Sequence, residues 1–277
     1  MTFREACEYG QEQLKRAGVD DADLDAWYLL EFVTGMDRAT YFVKMQDTIS
    51  NEQEALYRDY IKTRASHIPL QHITGVQEFM GLEFCVNEHV LVPRQDTEIL
   101  VESVLKALAP EMRVLDMCTG SGCILLSLMK LERVKYGVGV DVSKEALAVA
   151  EKNREKLGVT ADLIESDLFE NVTGRYDLIV SNPPYIRTTV IDKLKEEVKF
   201  HDPFIALDGK EDGLYFYRAI VEKSPEYLSD GGKLYFEIGY DQGEDVKRLM
   251  KQAGFTGVTV KKDLAGLDRV VFGKYNY

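Results

Sequence analysis

Two spacings of apolar residues divide the chain into an N-terminal part and a longer C-terminal part. Over residues 1–75, apolar positions recur at helical spacing, as Phe3, Ala6, Cys7 and Leu14 do, which predicts amphipathic helices. These helices begin at capping residues and end at a glycine or before a proline, and no segment here favours a strand. The pattern predicts a bundle of four or five helices.

Residues 76–92 have a different character, because short aromatic and β-branched runs replace the helical spacing. Residues 78–87 and 90–92 favour strands and predict a hairpin-like connector. From residue 93 to residue 277, apolar strand patterns alternate with helical ones, which is typical of a doubly wound α/β domain of about seven strands. The predicted strands cover residues 113–116, 136–141, 161–165, 176–181, 233–238, 258–260 and 269–272.

The segment Asn182-Pro183-Pro184-Tyr185 comes directly after one of these strand patterns. An asparagine oxygen can accept one N–H of a planar NH2 group, and a proline carbonyl can accept the other. The tyrosine ring can stack on the flat face of the group, which leaves one side of the nitrogen open to an electrophile. The structural alternative is a proline-rich turn, but the segments upstream favour a site that orients an NH2 group.

The segment 116–123 lies where the first strand of the alternation turns into a helix. Gly120 and Gly122 let the backbone approach a ligand closely. A dinucleotide fingerprint needs a third glycine where this chain has Leu125, so that fingerprint fails. A nucleoside cofactor without phosphates, such as S-adenosylmethionine, needs only close approach and a carboxylate. Asp116 offers that carboxylate to the methionine ammonium, either directly or through water.

Two further acids follow the next two strands. Asp141 ends the second strand at the position of an acid that binds ribose hydroxyls, and Ser143 already supplies the N-cap that is its structural alternative. After the third strand, Asp167 can accept the adenine amine and Leu168 can cover the ring. An adenosyl site beside an NH2-orienting site predicts methyl transfer to nitrogen.

The composition limits the classes of partner. The net charge is −13 and the pI is about 4.9, which argues against a dedicated duplex-DNA binder. An acidic surface suits a basic protein partner or simply solubility. No apolar run has membrane-spanning length. The four cysteines form no C-x-x-C pair and no metal-like cluster with the four histidines, so we expect a cytoplasmic protein with reduced thiols and no metal.

These motifs together resemble the HemK/PrmC family, the methyltransferases that modify the glutamine of the Gly-Gly-Gln motif in bacterial class-1 peptide chain release factors. The resemblance covers essentially the whole chain. Residues 93–98 match the P-R-x-D-T-E box of the family, and 116–123 match its glycine loop. The ribose segment, the catalytic motif and three later stretches also match, at residues 141–147, 181–185, 206–213, 237–240 and 263–269.

The resemblance implies a seven-stranded, Rossmann-like class I methyltransferase domain over residues 93–277. A helical substrate-recognition domain over residues 1–75 and a β-hairpin connector over residues 76–92 would precede it. The cofactor would be S-adenosylmethionine, with S-adenosylhomocysteine as product, and release factors would be the partners, with no stable nucleic-acid binding and no membrane. The implied catalytic residues are Asn182, Pro183, Pro184 and Tyr185. The implied cofactor-binding residues are Thr97, Asp116, Cys118, Thr119, Gly120, Ser121, Gly122, Asp141, Asp167, Leu168 and Asn182.

Cys118 departs from the family pattern, because many members have glycine there. We expect an ordinary negative φ at this position and contact with the cofactor through the backbone. Two other functions remain open. An adenine-N6 methyltransferase also presents a flat NH2 group to an Asn-Pro-Pro-Tyr motif, although it would need a basic groove for nucleic acid. A non-enzymatic module that binds S-adenosylmethionine would not need the motif at all.

Overall fold

The computed structural model describes residues 1–109, 111–132 and 134–277. These residues form two compact units. The first comprises Met1–Val76 together with Lys195–His201, and the second comprises Gln77–Leu194 together with Asp202–Tyr277. None of the helices in the described ranges has the length and apolar character needed to cross a lipid bilayer. The chain therefore leaves the second unit at Lys195 and returns to it at Asp202.

Helices build the first unit, as the apolar spacing predicts. They are α1 (Phe3–Arg16), α2 (Ala22–Thr34), α3 (Arg38–Lys44), α4 (Asn51–Ala65) and α5 (Leu70–Thr74). Thr2 and Glu5 form a capping box at the start of α1, in which each side chain accepts a hydrogen bond from the backbone N–H of the other. Tyr57 is fully buried between helices, and its hydroxyl donates to the Ala26 carbonyl at 3.0 Å.

A buried arginine joins three segments of this unit. Arg64 Nε donates to Asp25 Oδ2 at 2.7 Å, and its Nη2 donates to Glu197 Oε1 at 2.5 Å. The Ile68 carbonyl accepts a third hydrogen bond from Nη1 at 3.2 Å. The segment 195–201 is thus held to the helical unit by a partly buried ion pair, a contact that no local pattern in the sequence predicts.

The second unit opens with the predicted hairpin, which consists of β1 (Val76–Phe79) and β2 (Leu82–Cys85). The expectation of a strand over residues 90–92 is wrong, because this segment has irregular backbone. Val90 is buried there against Ala146 and Val149. Its apolar character reflects packing under a helix and not a place in a sheet.

A seven-stranded sheet forms the centre of the second unit, which confirms the predicted α/β fold. The strands are β3 (Arg113–Met117), β4 (Tyr136–Asp141), β5 (Asp162–Glu165), β6 (Tyr176–Ser181), β7 (Leu228–Glu237), β8 (Thr256–Lys262) and β9 (Asp268–Lys274). Their order is β5-β4-β3-β6-β7-β9-β8; the β7–β9 and β9–β8 pairs are antiparallel, and the other pairs are parallel. The helices are α6 (Gln95–Leu105), α7 (Cys123–Glu132), α8 (Lys144–Leu157), α9 (Thr188–Ile191), α11 (Phe204–Leu207), α12 (Tyr215–Tyr227) and α13 (Gly243–Gln252), with α10 (Glu196–His201) lying in the first unit.

The order of the strands places the site. β3 lies between β4 and β6, so the chain builds the sheet outward in both directions from β3. At such a switch point the loops after neighbouring strands separate and leave a crevice at their carboxyl ends. The predicted glycine loop, ribose, adenine and acceptor segments follow β3, β4, β5 and β6 in turn, and they therefore meet at this edge of the sheet; Thr97 comes from α6, before β3.

Candidate active site

A cavity lies at the carboxyl ends of β3–β6, and most of the predicted site residues line it. These are Thr97, Cys118, Thr119, Gly120, Ser121, Asp141, Asp167, Leu168, Asn182 and Pro184. Asp116, Gly122, Pro183 and Tyr185 do not line it but lie directly beside residues that do. The structure thus brings the two ends of the predicted site together around one space.

The loop after β3 is held in place by hydrogen bonds to β4. The Thr119 N–H donates to the Val140 carbonyl at 2.9 Å. Gly120 and Gly122 have φ values of 55° and 78°, in the left-handed region. A Cβ on Gly122 would lie 2.8 Å from Leu126 Cδ1, so glycine is needed there for close packing as well as for its φ. The loop therefore presents backbone, with little side chain, to the cavity.

The expectation of an ordinary φ at Cys118 is wrong. Its φ is 62°, so this residue adopts the left-handed conformation that the glycine of many family members would adopt without strain. The reason is the path of the loop, which turns directly from β3 toward the Thr119–Val140 hydrogen bond. Cys118 is partly buried against apolar side chains, and desolvation raises the pKa of its thiol well above the ordinary value. This thiol is therefore protonated and contributes packing.

Asp141 holds the glycine loop while it faces the cavity. Its Oδ2 accepts the Gly120 N–H at 2.9 Å, and its Oδ1 accepts the Ser143 N–H at 3.0 Å. Burial raises the pKa of this carboxyl, whereas the backbone hydrogen bonds act against that shift. Since a carboxylate has about four acceptor positions, each oxygen retains capacity for a ligand hydroxyl. Ser143 is the N-cap of α8, as predicted, and its Oγ accepts the Ala146 N–H.

Leu168 is held at the cavity by a tight turn after β5. Its φ is 48°, and its carbonyl accepts the Ser166 hydroxyl at 2.8 Å. Ser166 Oγ in turn accepts the Asn171 N–H at 2.9 Å. A leucine in the left-handed region is strained, and such strain persists only where the surrounding structure maintains it. The turn fixes Asp167 and Leu168 side by side on the wall of the cavity.

Asn182 lies where the acceptor end of the cavity meets α6. Its Nδ2 donates to Thr97 Oγ1 at 3.4 Å, which leaves Oδ1 as the part of the amide that can accept. Pro184 lines the cavity beside it, and Pro183 is buried behind them. The preceding residue, Ser181, donates its hydroxyl to the Met117 carbonyl at 2.7 Å and so ties β6 to β3.

Tyr185 is held on both its side chain and its backbone. The hydroxyl donates to Glu237 Oε1 at 3.4 Å, and the carbonyl accepts Gln242 Nε2 at 3.0 Å. A Cβ on Gly209 would lie 2.7 Å from the Tyr185 backbone, so the loop before α12 packs tightly against this residue. Tyr185 is therefore part of a rigid frame around the acceptor end.

Comparison with known proteins identifies the family. Residues 5–75 match the model of the PrmC N-terminal domain, and residues 94–198 match that of the methyltransferase small domain. The release factor glutamine methyltransferase of Geobacter sulfurreducens is 42% identical over 274 residues, which cover 99% of this chain and 96% of that protein. The chain belongs to the release factor glutamine methyltransferase family. The family members from Caulobacter vibrioides and Clostridium acetobutylicum are each 41% identical, over 100% and 98% of this chain and 97% and 98% of theirs.

Solved structures agree on the fold of this methyltransferase. A methyltransferase from Pyrococcus furiosus has a TM-score of 0.57 at 18% identity and covers 78% of this chain and 100% of its own. The 16S rRNA N2 G1207 methyltransferase of T. thermophilus, solved with AdoMet and guanosine, has a TM-score of 0.51 at 20% identity, covering 73% of this chain and 50% of its own. At these identities the likeness shows the fold alone.

Asp116 is a predicted cofactor contact that lies behind the cavity wall. It is fully buried, and its Oδ2 accepts the Thr119 hydroxyl at 2.6 Å. Its Oδ1 makes no hydrogen bond of normal geometry within the described part of the chain. Burial, and secondarily the charge of Asp141, raises the pKa of Asp116 to about 7. A buried acceptor behind Thr119 fits a cationic ligand group in this methyltransferase, and its contact with the cofactor stays a prediction.

Two residues that support the site were not predicted from the sequence. Glu237 ends β7 beside β6, and Gln242 precedes α13. Gln242 donates to the carbonyls of both Tyr185 and Gly213 and so closes the loop over the acceptor end. Glu237 opens a stretch that matches the family, but its separation of 52 residues from Tyr185 hides their contact from any local pattern. The described residues contain no group of three or more metal-ligating side chains that could hold an ion.

Proposed function

We propose that this enzyme transfers the methyl group of S-adenosylmethionine to the side-chain amide nitrogen of the glutamine in the Gly-Gly-Gln motif of class-1 peptide chain release factors. Relatives that match almost the full length of the chain carry the name release factor glutamine methyltransferase. The observation that carries the proposal is the position of Asn182, whose amide lines the cavity while its NH2 group is engaged by Thr97. The free oxygen then faces an acceptor amide.

The acceptor nitrogen is oriented by two oxygens. Asn182 Oδ1 and the Pro183 carbonyl each accept one N–H of the glutamine amide, and the Tyr185 ring holds the amide plane. An amide nitrogen is a poor nucleophile because its lone pair is delocalised into the carbonyl. Acceptors that hold both hydrogens favour a pyramidal nitrogen with its lone pair directed at the electrophile. They bind more tightly as positive charge grows on nitrogen, so they stabilise the transition state more than the ground state.

The opposite end of the cavity has the residues that would hold S-adenosylmethionine. When bound, S-adenosylmethionine supplies an electrophilic methyl group on a sulfonium sulfur. Asp141 accepts the ribose hydroxyls, Asp167 accepts the adenine amine, and Leu168 covers the ring. Asp116 stabilises the methionine ammonium from behind Thr119. Fixing the donor and the acceptor in one cavity supplies the alignment on which most of the rate depends.

The test is a competition among acceptors. Release factor, its Gln→Ala variant at the Gly-Gly-Gln motif, duplex DNA and a single-stranded oligonucleotide are each incubated with methyl-labelled cofactor. We expect label on wild-type release factor only, with the modified glutamine mapped by mass spectrometry. Label that persists on the Gln→Ala variant would refute the assignment of the acceptor. Preferential label on nucleic acid would instead establish an adenine-N6 methyltransferase.

We also propose that the helical unit recognises the release factor and takes no part in chemistry. Every predicted cofactor and acceptor residue lies beyond Pro93, which supports this division. A chain that begins at Gly75 should bind S-adenosylmethionine and methylate a short Gly-Gly-Gln peptide, but it should methylate intact release factor poorly. Equal activity of the shortened and full chains on intact release factor would refute this role.

A further inference from the structure

A buried acid lies behind the acceptor end of the cavity. Glu237 is 2% exposed and ends β7, whose register pairs Phe236 with Ser181, the residue before Asn182. Buried glutamates are rare unless they are paired, because desolvation of the charge is costly. Because Glu237 lies beside the predicted catalytic segment, we expect it to have a role there that offsets the cost of burying its charge.

Two hydroxyl groups contact this carboxylate. Tyr185 donates its hydroxyl to Oε1 at 3.4 Å, and the Thr97 hydroxyl lies near enough to the carboxylate to lower the pKa of Glu237. Within the described residues, Glu237 Oε2 has no other hydrogen-bond partner. Thr97 itself is 3% exposed and accepts Asn182 Nδ2 at 3.4 Å. Thr97 thus lies between the Asn182 amide, which donates to it, and the Glu237 carboxylate, and the three side chains form a chain of polar neighbours.

The Glu237 carboxylate determines which group donates in each hydrogen bond between Asn182, Thr97 and Glu237. An ionised carboxylate only accepts, so Thr97 must donate its single proton to Glu237. The Thr97 oxygen can then only accept from Asn182, and only the NH2 end of the Asn182 amide donates. The amide oxygen must face the other way, toward the acceptor nitrogen. A neutral partner at position 237 would not impose this order.

We propose that Glu237 is a positioning residue, which fixes the Asn182 amide through Thr97 and the Tyr185 ring through its hydroxyl. This rests on the proposed function, in which Asn182 Oδ1 accepts the glutamine N–H. Glu237 touches neither substrate nor cofactor and acts only through these two side chains. Its loss should therefore lower turnover and leave cofactor binding largely unchanged.

Glu237→Gln removes the obligate acceptor and preserves the shape of the side chain. We expect kcat for release factor to fall about 10- to 100-fold, as misplacement of a reacting group does. The affinity for S-adenosylmethionine, measured by calorimetry, should stay within about twofold. Tyr235→Phe is the matched control, because it alters a buried side chain two residues earlier on the same face of β7. This control should keep wild-type kcat.

Two variants of Thr97 test the same set of hydrogen bonds independently. They also serve as the test if Glu237→Gln does not fold. Thr97→Ser keeps the hydroxyl and should retain most of the activity. Thr97→Val keeps the shape but cannot relay the hydrogen bond, so its kcat should fall about as far as that of Glu237→Gln. Equal activity of the serine and valine variants would overturn the proposal, as would a wild-type kcat for Glu237→Gln.

A pH profile separates positioning from packing. Burial raises the pKa of Glu237 to about 7, so kcat at saturating cofactor should rise between pH 6 and 8 as the carboxylate forms. The charged and titratable groups around it are Asp96, Arg269, Tyr185, Tyr217 and Cys123. This rise should disappear in Glu237→Gln, and an unchanged profile would refute the proposal. If wild-type enzyme does not label the release factor at all, the proposed function fails instead.

Discussion

Asp141 Oδ2 accepts the backbone N–H of Gly120 at 2.9 Å, so the acid after β4 and the glycine loop after β3 are fixed to one another. Both residues line the cavity. The acid that is expected to bind the ribose therefore also sets the shape of the loop that approaches the cofactor. A change at Asp141 removes a ligand contact and a support for the loop together.

Asp141→Ala should weaken S-adenosylmethionine binding by about 1–3 kcal/mol, the usual loss when hydrogen bonds to a charged group are removed. Isothermal calorimetry measures the change. Glu165→Ala is the matched control, because Glu165 pairs with Asp141 in the β4–β5 register but is exposed and lies outside the cavity. Wild-type affinity in Asp141→Ala would exclude the ribose assignment.

Asn182→Ala should lower kcat about 100- to 1,000-fold, as the loss of one preorganised polar contact at a reacting group does. Cofactor affinity should fall much less, because Asn182 orients the acceptor. Single-turnover kinetics and calorimetry on the same preparation separate the two effects. The exposed Asn276→Ala serves as control. A rate within a few-fold of wild type would mean that another group holds the NH2.

The central strands were predictable because strands buried on both faces have near-continuous apolar runs. Residues 136–141 and 176–181 were predicted with the bounds that the structure has, and the motifs after them lie at one edge of the sheet for the same reason. Two other strands were predicted too short: β7 begins at Leu228 and not at residue 233, and the edge strand β8 is longer at both ends. The segment 258–260 extends to Thr256–Lys262, since an edge strand carries polar residues that hide its length.

The features that were not predicted depend on contacts between segments far apart in the sequence, and local sequence patterns carry no information about such contacts. The φ of Cys118 follows from a hydrogen bond between the next residue and β4. Glu237 contacts Tyr185 across 52 positions, and Arg64 contacts Glu197 across 133. Each of these side chains looks like an ordinary surface or strand-end charge in the sequence, and only burial reveals its role.

Cys118 should tolerate glycine and reject a β-branched residue. Cys118→Val should lower the free energy of unfolding by about 1–3 kcal/mol, because valine is strongly disfavoured at φ 62°. Cys118→Gly relieves about 1–2 kcal/mol of strain and loses thiol packing, so it should stay within about 1 kcal/mol of wild type. Urea denaturation monitored by circular dichroism gives both values. Equal destabilisation by the two variants would show that packing decides this position.

The raised pKa of Asp116 predicts a pH-dependent stability in the absence of cofactor. Burial raises this pKa from 3.8 to about 7, so the folded state holds the proton more tightly than the unfolded state. The resulting stabilisation is complete below about pH 3.8 and is lost as the pH rises to about 7. Asp116→Asn carries no such proton. Between pH 5 and 7, the free energy of unfolding of Asp116→Asn should therefore increase relative to that of the wild-type protein. The relative increase should be at most about 1.4 kcal/mol per pH unit.

Urea unfolding of both proteins at pH 5, 6, 7 and 8 measures this difference. The difference between the two free energies of unfolding should change most steeply below about pH 7 and level off above it, as the folded wild-type protein also loses the proton. A difference in free energy of unfolding between the two proteins that is the same at every pH would show that Asp116 is ionised throughout. The buried Oδ1 would then need a partner other than a proton.

Arg64→Met should be the most destabilising change in the helical unit. It leaves the Asp25 carboxylate buried without its guanidinium partner, and such a loss costs about 3–5 kcal/mol. Burial already raises the pKa of Asp25, which shows how costly its charge is there. The change in the free energy of unfolding is measured by urea denaturation at neutral pH.

Arg58→Met is the matched control on the same helix. Arg58 pairs with Glu54 at 3.0 Å on a half-exposed surface, so its loss should cost less than about 1 kcal/mol. The double variant Arg64→Met with Asp25→Asn should be less destabilised than the sum of its single changes, because no unpaired buried carboxylate remains. Strict additivity would locate the cost of Arg64→Met in lost packing of the side chain and not in the unpaired Asp25 carboxylate.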